Sequence, residues 1–425
     1  MKVRNMEKTN ITMDFCRVGM FQKCVHYAPA RQNDRSNIAV ICIHSDGDYS
    51  DFPAGKALAG HGCHVLCGQV SRPEAALDEK LKDIKNAVDY ARRIEGVEKV
   101  VLLGHSGGAT LMSCYQSVAE KGYGIYQTEK MVTPIRDMGP LTPADGIMLI
   151  DSNWGNGVMT AVSIDPAVMD EASGVKLDKQ FDVFAPENGF DENGSHYSEE
   201  FRKKFFKAQA QRNNRIIDAC LERLDALEKH QGNYFDDEPF IVPGAAVMAP
   251  NNKMFPQDIS LLCRTEGEYT LLHADGSATK EVIHSLRKPR GGRSTTPIYG
   301  MGAAKCSVRH YITSVSVRLD EDEYGYDATH ITGVDWDSCF CCTPGNVRHI
   351  DCPTLVMGMT GGYECIAAET IYRNSPAADK EIAFVEGASH MLTPERSCEQ
   401  VPGQFGDTVK TLFDYVDGWL SRHFA

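Results

Sequence analysis

One serine of the chain stands in a setting that favours nucleophilic chemistry. Ser106 lies in the pattern G-x-S-x-G formed by residues 104–108, and no other serine in the sequence matches that pattern. A serine held on a sharp turn needs glycines two positions before and after it, because side chains there would collide with the neighbouring backbone. An apolar run, 100–103, ends directly before the motif, and a stretch typical of a helix follows it. We therefore predict a catalytic serine on a strand-to-helix turn.

A serine hydroxyl is a poor nucleophile at neutral pH and needs a general base. His390 closes the segment Gly-Ala-Ser-His at 387–390, just past a predicted strand at 381–385. Parallel sheets gather their chemistry at the carboxyl ends of their strands. We therefore expect His390, among 14 histidines, to be the base.

The base in turn needs a carboxylate that fixes its tautomer. Glu364 is the first carboxylate after the predicted strand 354–359, and Asp151 directly follows the predicted strand 146–150. We predict Glu364 as the orienting acid and keep Asp151 as the alternative.

Strands and helices must alternate to bring these residues together, and the sequence shows that alternation in two blocks. Strand, helix, strand, helix at this spacing indicates a parallel sheet. The predicted strands are 37–43, 63–67, 99–103, 146–150, 354–359 and 381–385, and the main predicted helices between or after them are 74–94, 109–121, 367–374 and 409–420.

The alternation lapses between 152 and 345. This stretch contains a long amphipathic helix at 199–229, with Ser198 as its N-cap, and a hairpin turn at 273–276. Because the strand and helix pattern stops before this stretch and resumes after it, we interpret 152–345 as an insertion in one sheet domain.

The chain resembles the serine hydrolases of the α/β-hydrolase fold. The order Ser106, Glu364, His390 matches the nucleophile, acid, base order of that fold. The resemblance covers 1–151 and 346–425 and implies a mostly parallel, doubly wound α/β sheet. It also implies that 152–345 is a large, mainly helical cap inserted after the sixth strand.

The resemblance further implies an oxyanion hole. One donor is the amide after the nucleophile, Gly107, and the second comes from the loop after the third strand, 44–49. Ser45 stands where glycine is common, so the second donor is the amide of Ser45 or Asp46, with the Tyr49 hydroxyl as an alternative. The carboxylates of Asp46 and Asp48 would oppose a developing oxyanion unless they point away or bind a cationic substrate group.

Composition narrows the class of protein. The chain has 425 residues and a net charge of −14, which disfavours nucleic acid and anionic membranes as partners. It has no apolar run of about 20 residues, no readable signal peptide and 15 irregularly spaced cysteines, so we expect a cytoplasmic protein. The expected partner is a small-molecule substrate; no cofactor is required, and a homodimer is left open.

Two other patterns are given a structural interpretation. Cys339, Cys341 and Cys342, with His349 and Cys352, could suggest zinc, but the paired spacing of common structural sites is missing. We interpret these cysteines as buried or loop thiols and expect no metal. The basic segment 287–293 is short and interrupted by glycine, which is typical of a solvated loop.

The predicted activity is hydrolysis of an ester or lactone of a small to medium organic molecule through an acyl-enzyme on Ser106. Two alternatives stay open. One is cleavage of a C–C, amide or thioester bond, or acyl transfer, by the same triad. The other is a ligand-binding or sensing protein with a vestigial triad, since one fold hosts many functions.

Overall fold

The structure, a computed structural model, describes residues 10–248, 253–290 and 302–425. Two segments discussed above lie partly outside these ranges. They are the N-terminal segment without a readable signal peptide, at residues 1–9, and the basic segment, at residues 291–293. The strands are β1 (Ile11–Arg17), β2 (Lys23–Pro29), β3 (Ile38–His44), β4 (His64–Gln69), β5 (Lys99–His105), β6 (Gly146–Ile150), β7 (Pro239–Val242), β8 (Arg264–Leu272), β9 (Ala278–His284), β10 (Ala304–Ser307), β11 (Gly325–Tyr326), β12 (Ile331–Thr332), β13 (Thr354–Met359) and β14 (Lys380–Val385).

The helices fill the intervals between these strands. They are α1 (Pro53–His61), α2 (Leu77–Ala91), α3 (Gly107–Lys121), α4 (Asn156–Ala161), α5 (Glu199–Glu228), α6 (Val308–Ser314), α7 (Thr343–Asn346), α8 (Cys365–Asn374) and α9 (Thr408–Phe424). Among the described residues, no helix has both the length and the apolar character that a membrane span requires.

In the described residues, ten strands form one sheet in the order β1-β2-β4-β3-β5-β6-β13-β14-β8-β9. Neighbouring strands from β4 to β8 in this order are parallel, whereas the β1–β2, β2–β4 and β8–β9 pairs are antiparallel. The carboxyl ends of β3, β5, β6, β13 and β14 therefore lie along one edge, where site residues were expected.

Both faces of the sheet are covered. Along β3, Ile41 and Ile43 pack into a core with α2, α3 and α8, whereas Val40 and Cys42 pack into a second core with α1 and α9. A strand buried on both faces has a continuous apolar sequence, which is how this one was recognised. The predicted mostly parallel, doubly wound α/β class is confirmed.

The predicted hairpin exists but has a different place from the one expected. Its strands, β8 and β9, extend the central sheet: Thr270 of β8 is in register with Ala383 of β14. Leu271 and Leu272 are buried, and β8 covers an edge of β14 that would otherwise present unpaired backbone groups. The segment 152–345 therefore contributes to the core sheet as well as to the structures outside it.

The long helix of the middle segment agrees closely with the prediction. In α5, the Ser198 hydroxyl oxygen accepts a hydrogen bond of 3.2 Å from the Phe201 amide, which confirms Ser198 as the N-cap. The small sheets β7–β10 and β11–β12 accompany this helix. The boundaries of a cap at 152 and 345 stay a prediction.

Candidate active site

The turn after β5 holds Ser106 in a strained backbone conformation. Ser106 has φ 54° and ψ −130°, a combination that a non-glycine residue adopts only when its surroundings impose it. A β-carbon built on Gly104 would lie 2.5 Å from the Ala109 Cα atom, and one on Gly108 would lie 3.0 Å from the Ile43 carbonyl oxygen. Both glycines of the motif are therefore required for close backbone approach.

Sheet register places Asp151 beside the serine. Residue 105, the last of β5, is paired with Ile150, the last of β6, so that Ser106 and Asp151 each leave the sheet at the same level. Asp151 also has a positive φ of 42° and is completely buried. Its Oδ1 atom accepts a hydrogen bond of 2.8 Å from the Met359 amide, which fixes the carboxylate.

His390 connects these two residues. Its Nε2 atom lies 2.9 Å from the Ser106 hydroxyl oxygen, and its Nδ1 atom lies 2.7 Å from Asp151 Oδ2. The three side chains thus form a hydrogen-bonded chain, which is the arrangement that nucleophilic catalysis by a serine requires. Residues that are far apart in sequence meet here at the carboxyl edge of the sheet.

The contact that we predicted for Glu364 is made by Asp151, the alternative. Carboxylate oxygens of both residues lie within 4.8 Å of each other and of a His390 ring nitrogen, but among the described hydrogen bonds none joins Glu364 to His390. The physical reason is sheet order. Asp151 follows β6, the immediate neighbour of β5, whereas Glu364 precedes α8 one strand further away.

The carboxylates raise the basicity of His390. Burial of the imidazole alone would lower its pKa, but the hydrogen bond to Asp151 and the negative charge of Glu364 outweigh burial and raise the pKa of His390 to about 9. Burial, with the charge of Glu364, also raises the pKa of Asp151 above its ordinary value, against the opposing effect of His390. The imidazole is therefore a stronger base than an ordinary histidine.

On the other side of Ser106, backbone amides of the loop after β3 donate hydrogen bonds to a side chain of the same loop. The backbone N–H groups of Asp46 and Gly47 donate to Nδ1 of His44, at 3.0 and 2.9 Å. The Asp46 amide, one of the predicted oxyanion-hole donors, is therefore already occupied. This contact could not be inferred from the sequence, because it depends on how the loop folds back over its own first residue.

The Tyr49 hydroxyl, another predicted donor, is also occupied. It lies 2.6 Å from Nδ1 of His105, whose Nε2 atom lies 2.7 Å from the backbone carbonyl oxygen of His390. A carbonyl only accepts, so Nε2 of His105 donates, and because burial keeps the pKa of His105 well below its ordinary value, Nδ1 accepts from Tyr49. This chain braces the loop that carries His390.

Of the four predicted donors, Gly107 and Ser45 remain. The Ser45 hydroxyl oxygen lies 2.8 Å from the position that a β-carbon on Gly107 would occupy, so the two residues are in contact. The same hydroxyl donates a hydrogen bond of 2.6 Å to Asp46 Oδ2. Ser45 is therefore at the site, and Asp46 lies directly behind it.

The negative charge of Asp46 is neutralised by a residue that the sequence analysis missed. Lys80 Nζ lies 3.2 Å from Asp46 Oδ1, and only 1% of the Lys80 side chain is exposed. Burial alone would raise the pKa of Asp46, but the charge of Lys80 and the Ser45 hydroxyl lower it. The available signal was a lysine three residues after Leu77, within the buried stripe of α2.

The cysteine pattern assembles only in part. Cys339, Cys341 and Cys342 are buried and have sulfur atoms within 4.8 Å of one another, an arrangement that could hold a thiophilic metal ion. His349 instead packs its ring against Tyr126, and Cys352 accepts a hydrogen bond from Gln116. The five residues of the considered zinc pattern therefore do not form one cluster.

Comparison with known proteins gives only remote likenesses. No family model matches the chain, and no curated protein matches it. Solved structures that are similar include the siderophore hydrolase EstB from Aspergillus fumigatus, with 11% identity, 99% of each chain covered and a TM-score of 0.46. A hypothetical protein from Pseudomonas aeruginosa has 13% identity and a TM-score of 0.45, with 98% of this chain and 95% of that chain covered. Esterase B from Lactobacillus rhamnosis has 11% identity and a TM-score of 0.38, with 97% of this chain and 88% of that chain covered.

The class of fold follows from this chain's own architecture. A mostly parallel, doubly wound sheet carries the serine on a sharp strand-to-helix turn after β5, and the histidine follows β14 near the end of the chain. The chain order Ser106, Asp151, His390 is the order of that fold's site residues. The protein has the α/β-hydrolase fold.

Proposed function

We propose that the protein is a serine hydrolase that cleaves an ester or lactone of a small to medium organic molecule. The observation that carries the proposal is the chain of hydrogen bonds from Ser106 to His390 and from His390 to Asp151, at 2.9 and 2.7 Å. A base within hydrogen-bond reach of the nucleophile, itself oriented by a carboxylate, is the arrangement that acyl transfer to serine needs.

The reaction proceeds in two halves. Ser106 Oγ attacks the acyl carbon while His390 Nε2 takes its proton, and the resulting oxyanion faces the Gly107 amide and the 44–49 loop. The imidazolium then gives that proton to the leaving alcohol, which departs and leaves an ester on Ser106. Water attacks this ester with the same base, and the acid product and free serine are released.

A discrete small molecule is favoured because the middle segment reaches the rim of the site. The ring of Phe255 lies 4.6 Å, centroid to centroid, from that of Tyr363, and the Ser285 hydroxyl donates a hydrogen bond of 2.7 Å to the Gly362 carbonyl. Both partners lie next to Glu364. A site that the middle segment borders on this side can select its ligand by shape.

Covalent labelling tests the nucleophile. We expect a fluorophosphonate probe to modify the wild-type protein at Ser106, as read from the mass of the peptide that contains it. Ser106→Ala should abolish the adduct, whereas Ser277→Ala, at an exposed hairpin turn, should leave it unchanged. A folded wild-type protein that forms no adduct on Ser106 would contradict the proposal.

A substrate panel tests the bond type. We expect turnover of short-chain aryl esters and lactones that is lost in Ser106→Ala, because an alkoxide or phenolate leaves without much assistance. Matched anilides, thioesters and 1,3-diketones serve as comparison substrates. Faster turnover of any of these than of the matched ester would replace ester hydrolysis with the corresponding activity.

A further inference from the structure

We propose that the imidazole of His44 is a catalytic residue: its Nε2–H donates a hydrogen bond to the oxyanion formed during acyl transfer to Ser106. This inference rests on the proposed function and names a donor that the sequence analysis did not consider. The resemblance to other hydrolases suggests a backbone amide for this task, and the loop that should supply it has turned two of its amides elsewhere.

Those two amides decide the tautomer of His44. The N–H groups of Asp46 and Gly47 both point at Nδ1, at 3.0 and 2.9 Å. A nitrogen that accepts from two donors carries no proton of its own, so in the neutral ring the proton is on Nε2. The two backbone N–H groups therefore orient the His44 ring and leave its Nε2–H as a side-chain donor.

The ring is placed so that this donor faces the nucleophile turn. A β-carbon built on Gly107 would lie 3.2 Å from His44 Cε1, and one built on Gly108 would lie 3.7 Å from His44 Cδ2. Nε2 lies between these two carbons in the ring, so the N–H edge is directed at the turn that carries Ser106. Among the described residues, no hydrogen bond uses this Nε2 atom.

Neighbouring groups hold the ring in this plane and keep it neutral. His44 stacks on Tyr49, with centroids 4.7 Å apart and an interplanar angle of 21°. Burial lowers the pKa of His44, the charge of Asp46 opposes this effect, and the charges of His390 and Lys80 add to it, so that the pKa is lowered to about 4. A neutral donor that is already oriented stabilises developing negative charge without the cost of reorganisation.

Kinetics of two variants provide the first test. His44→Phe keeps a planar ring but removes the donor, and we expect kcat to fall about 10²- to 10³-fold with a much smaller change in KM. His44→Gln retains an N–H donor on a side chain of similar reach and should recover at least about tenfold of that loss. A kcat of His44→Phe within twofold of the wild type would overturn the inference.

Binding of a trifluoromethyl ketone provides a second test, because this probe forms a hemiketal oxyanion on the serine. We expect its affinity for His44→Phe to fall in proportion to kcat/KM. In protein with ¹⁵N-labelled histidine, the Nε2–H signal that is absent from His44→Gln should move when the ketone binds. An unmoved signal in a protein that binds the ketone would overturn the inference even if a variant folds poorly.

Asn156 is the competing side chain, since its Nδ2–H group would be a donor. Its amide oxygen Oδ1 lies 3.0 Å from the position of a β-carbon on Gly107, which places this side chain beside the same turn. If Asn156→Ala loses kcat and His44→Phe does not, the inference is overturned. Failure of the proposed function is recognised separately, since the wild-type protein would then form no fluorophosphonate adduct on Ser106.

Discussion

The two sides of Ser106 differ in the charges that surround their imidazoles. On the base side, the carboxylates of Asp151 and Glu364 both lie close to His390 and raise its pKa. On the oxyanion side, the carboxylate of Asp46 is paired with Lys80, and the nearest imidazole is neutral. The proposed acyl transfer would account for the difference, because its base must become a cation while its oxyanion must meet no uncompensated negative charge.

The largest effect should follow from changing the base side. Asp151→Asn keeps the shape of the side chain but removes its charge. The amide of the new side chain also favours the wrong tautomer of the neutral His390 imidazole. We expect kcat to fall on the order of 10⁴-fold, measured with the best ester of the panel. Glu364→Gln is the matched control, and a loss in that control as large as in Asp151→Asn would reverse the assignment of the acid.

Which carboxylate orients the base could not be decided from the sequence. Asp151 and Glu364 both follow predicted strands, and both signals are equally visible there. The decision lies in sheet order, since β6 is the direct neighbour of β5. Local patterns identified the serine turn and His390 because those features depend on glycines and on a strand end close in sequence.

The oxyanion side was less predictable for a similar reason. Ser45 in place of a glycine indicated an unusual loop, but the return of two amides to His44 Nδ1 is a property of the folded loop alone. Lys80 is separated from Asp46 by 34 residues, and only packing of α2 against the loop after β3 brings them together. Likewise, the hairpin was recognised from its turn, but its pairing with β14 is a long-range contact.

The second-largest effect should come from leaving a negative charge on the oxyanion side without its cation. Lys80→Met keeps the apolar stem but leaves Asp46 without its cation. We expect kcat to fall about 10- to 100-fold because the unpaired carboxylate lies next to Ser45 and opposes the oxyanion. The free energy of unfolding should fall by only about 1 kcal/mol, since about half of the Asp46 side chain is exposed.

The double variant Lys80→Met/Asp46→Asn separates charge from packing. Removing the carboxylate should restore most of kcat, although it does not restore the lysine. Lys82→Met, at an exposed position of the same helix, is the control and should behave as the wild type. A double variant as impaired as Lys80→Met alone would show that the lysine acts by packing and that charge on this side is unimportant.

The third prediction concerns pH and the base side. His390 acts as a base only when neutral, so kcat/KM should rise with pH through the pKa of His390, about 9 in the protein. Glu364→Gln removes a negative charge that stabilises the imidazolium, so the midpoint should move to lower pH, by about one pH unit. At neutral pH a larger fraction of the variant then has the active form.

Rate profiles between pH 5 and 10 measure this shift, with the limiting value at high pH expected to change less than about threefold. Glu399→Gln, a substitution in the loop between β14 and α9, is a suitable control for a general change in charge. A midpoint that stays the same in Glu364→Gln, or moves to higher pH, would remove Glu364 from the electrostatics of the base.

The smallest effect should come from the brace that joins the two sides. Tyr49→Phe keeps the stacking on His44 but deletes the hydroxyl that donates to His105 Nδ1, which leaves a buried acceptor without a partner. The free energy of unfolding should fall by about 1–3 kcal/mol. Because His105 still donates to the His390 carbonyl oxygen, kcat should fall less than about fivefold.

Chemical unfolding and steady-state rates measure both quantities, with Tyr415→Phe as a control that loses only a hydrogen bond to Glu381. A loss of kcat as large as that expected for Lys80→Met would mean that Tyr49 contacts the reacting atoms and that the oxyanion side has a donor beyond His44, Ser45 and the Gly107 amide.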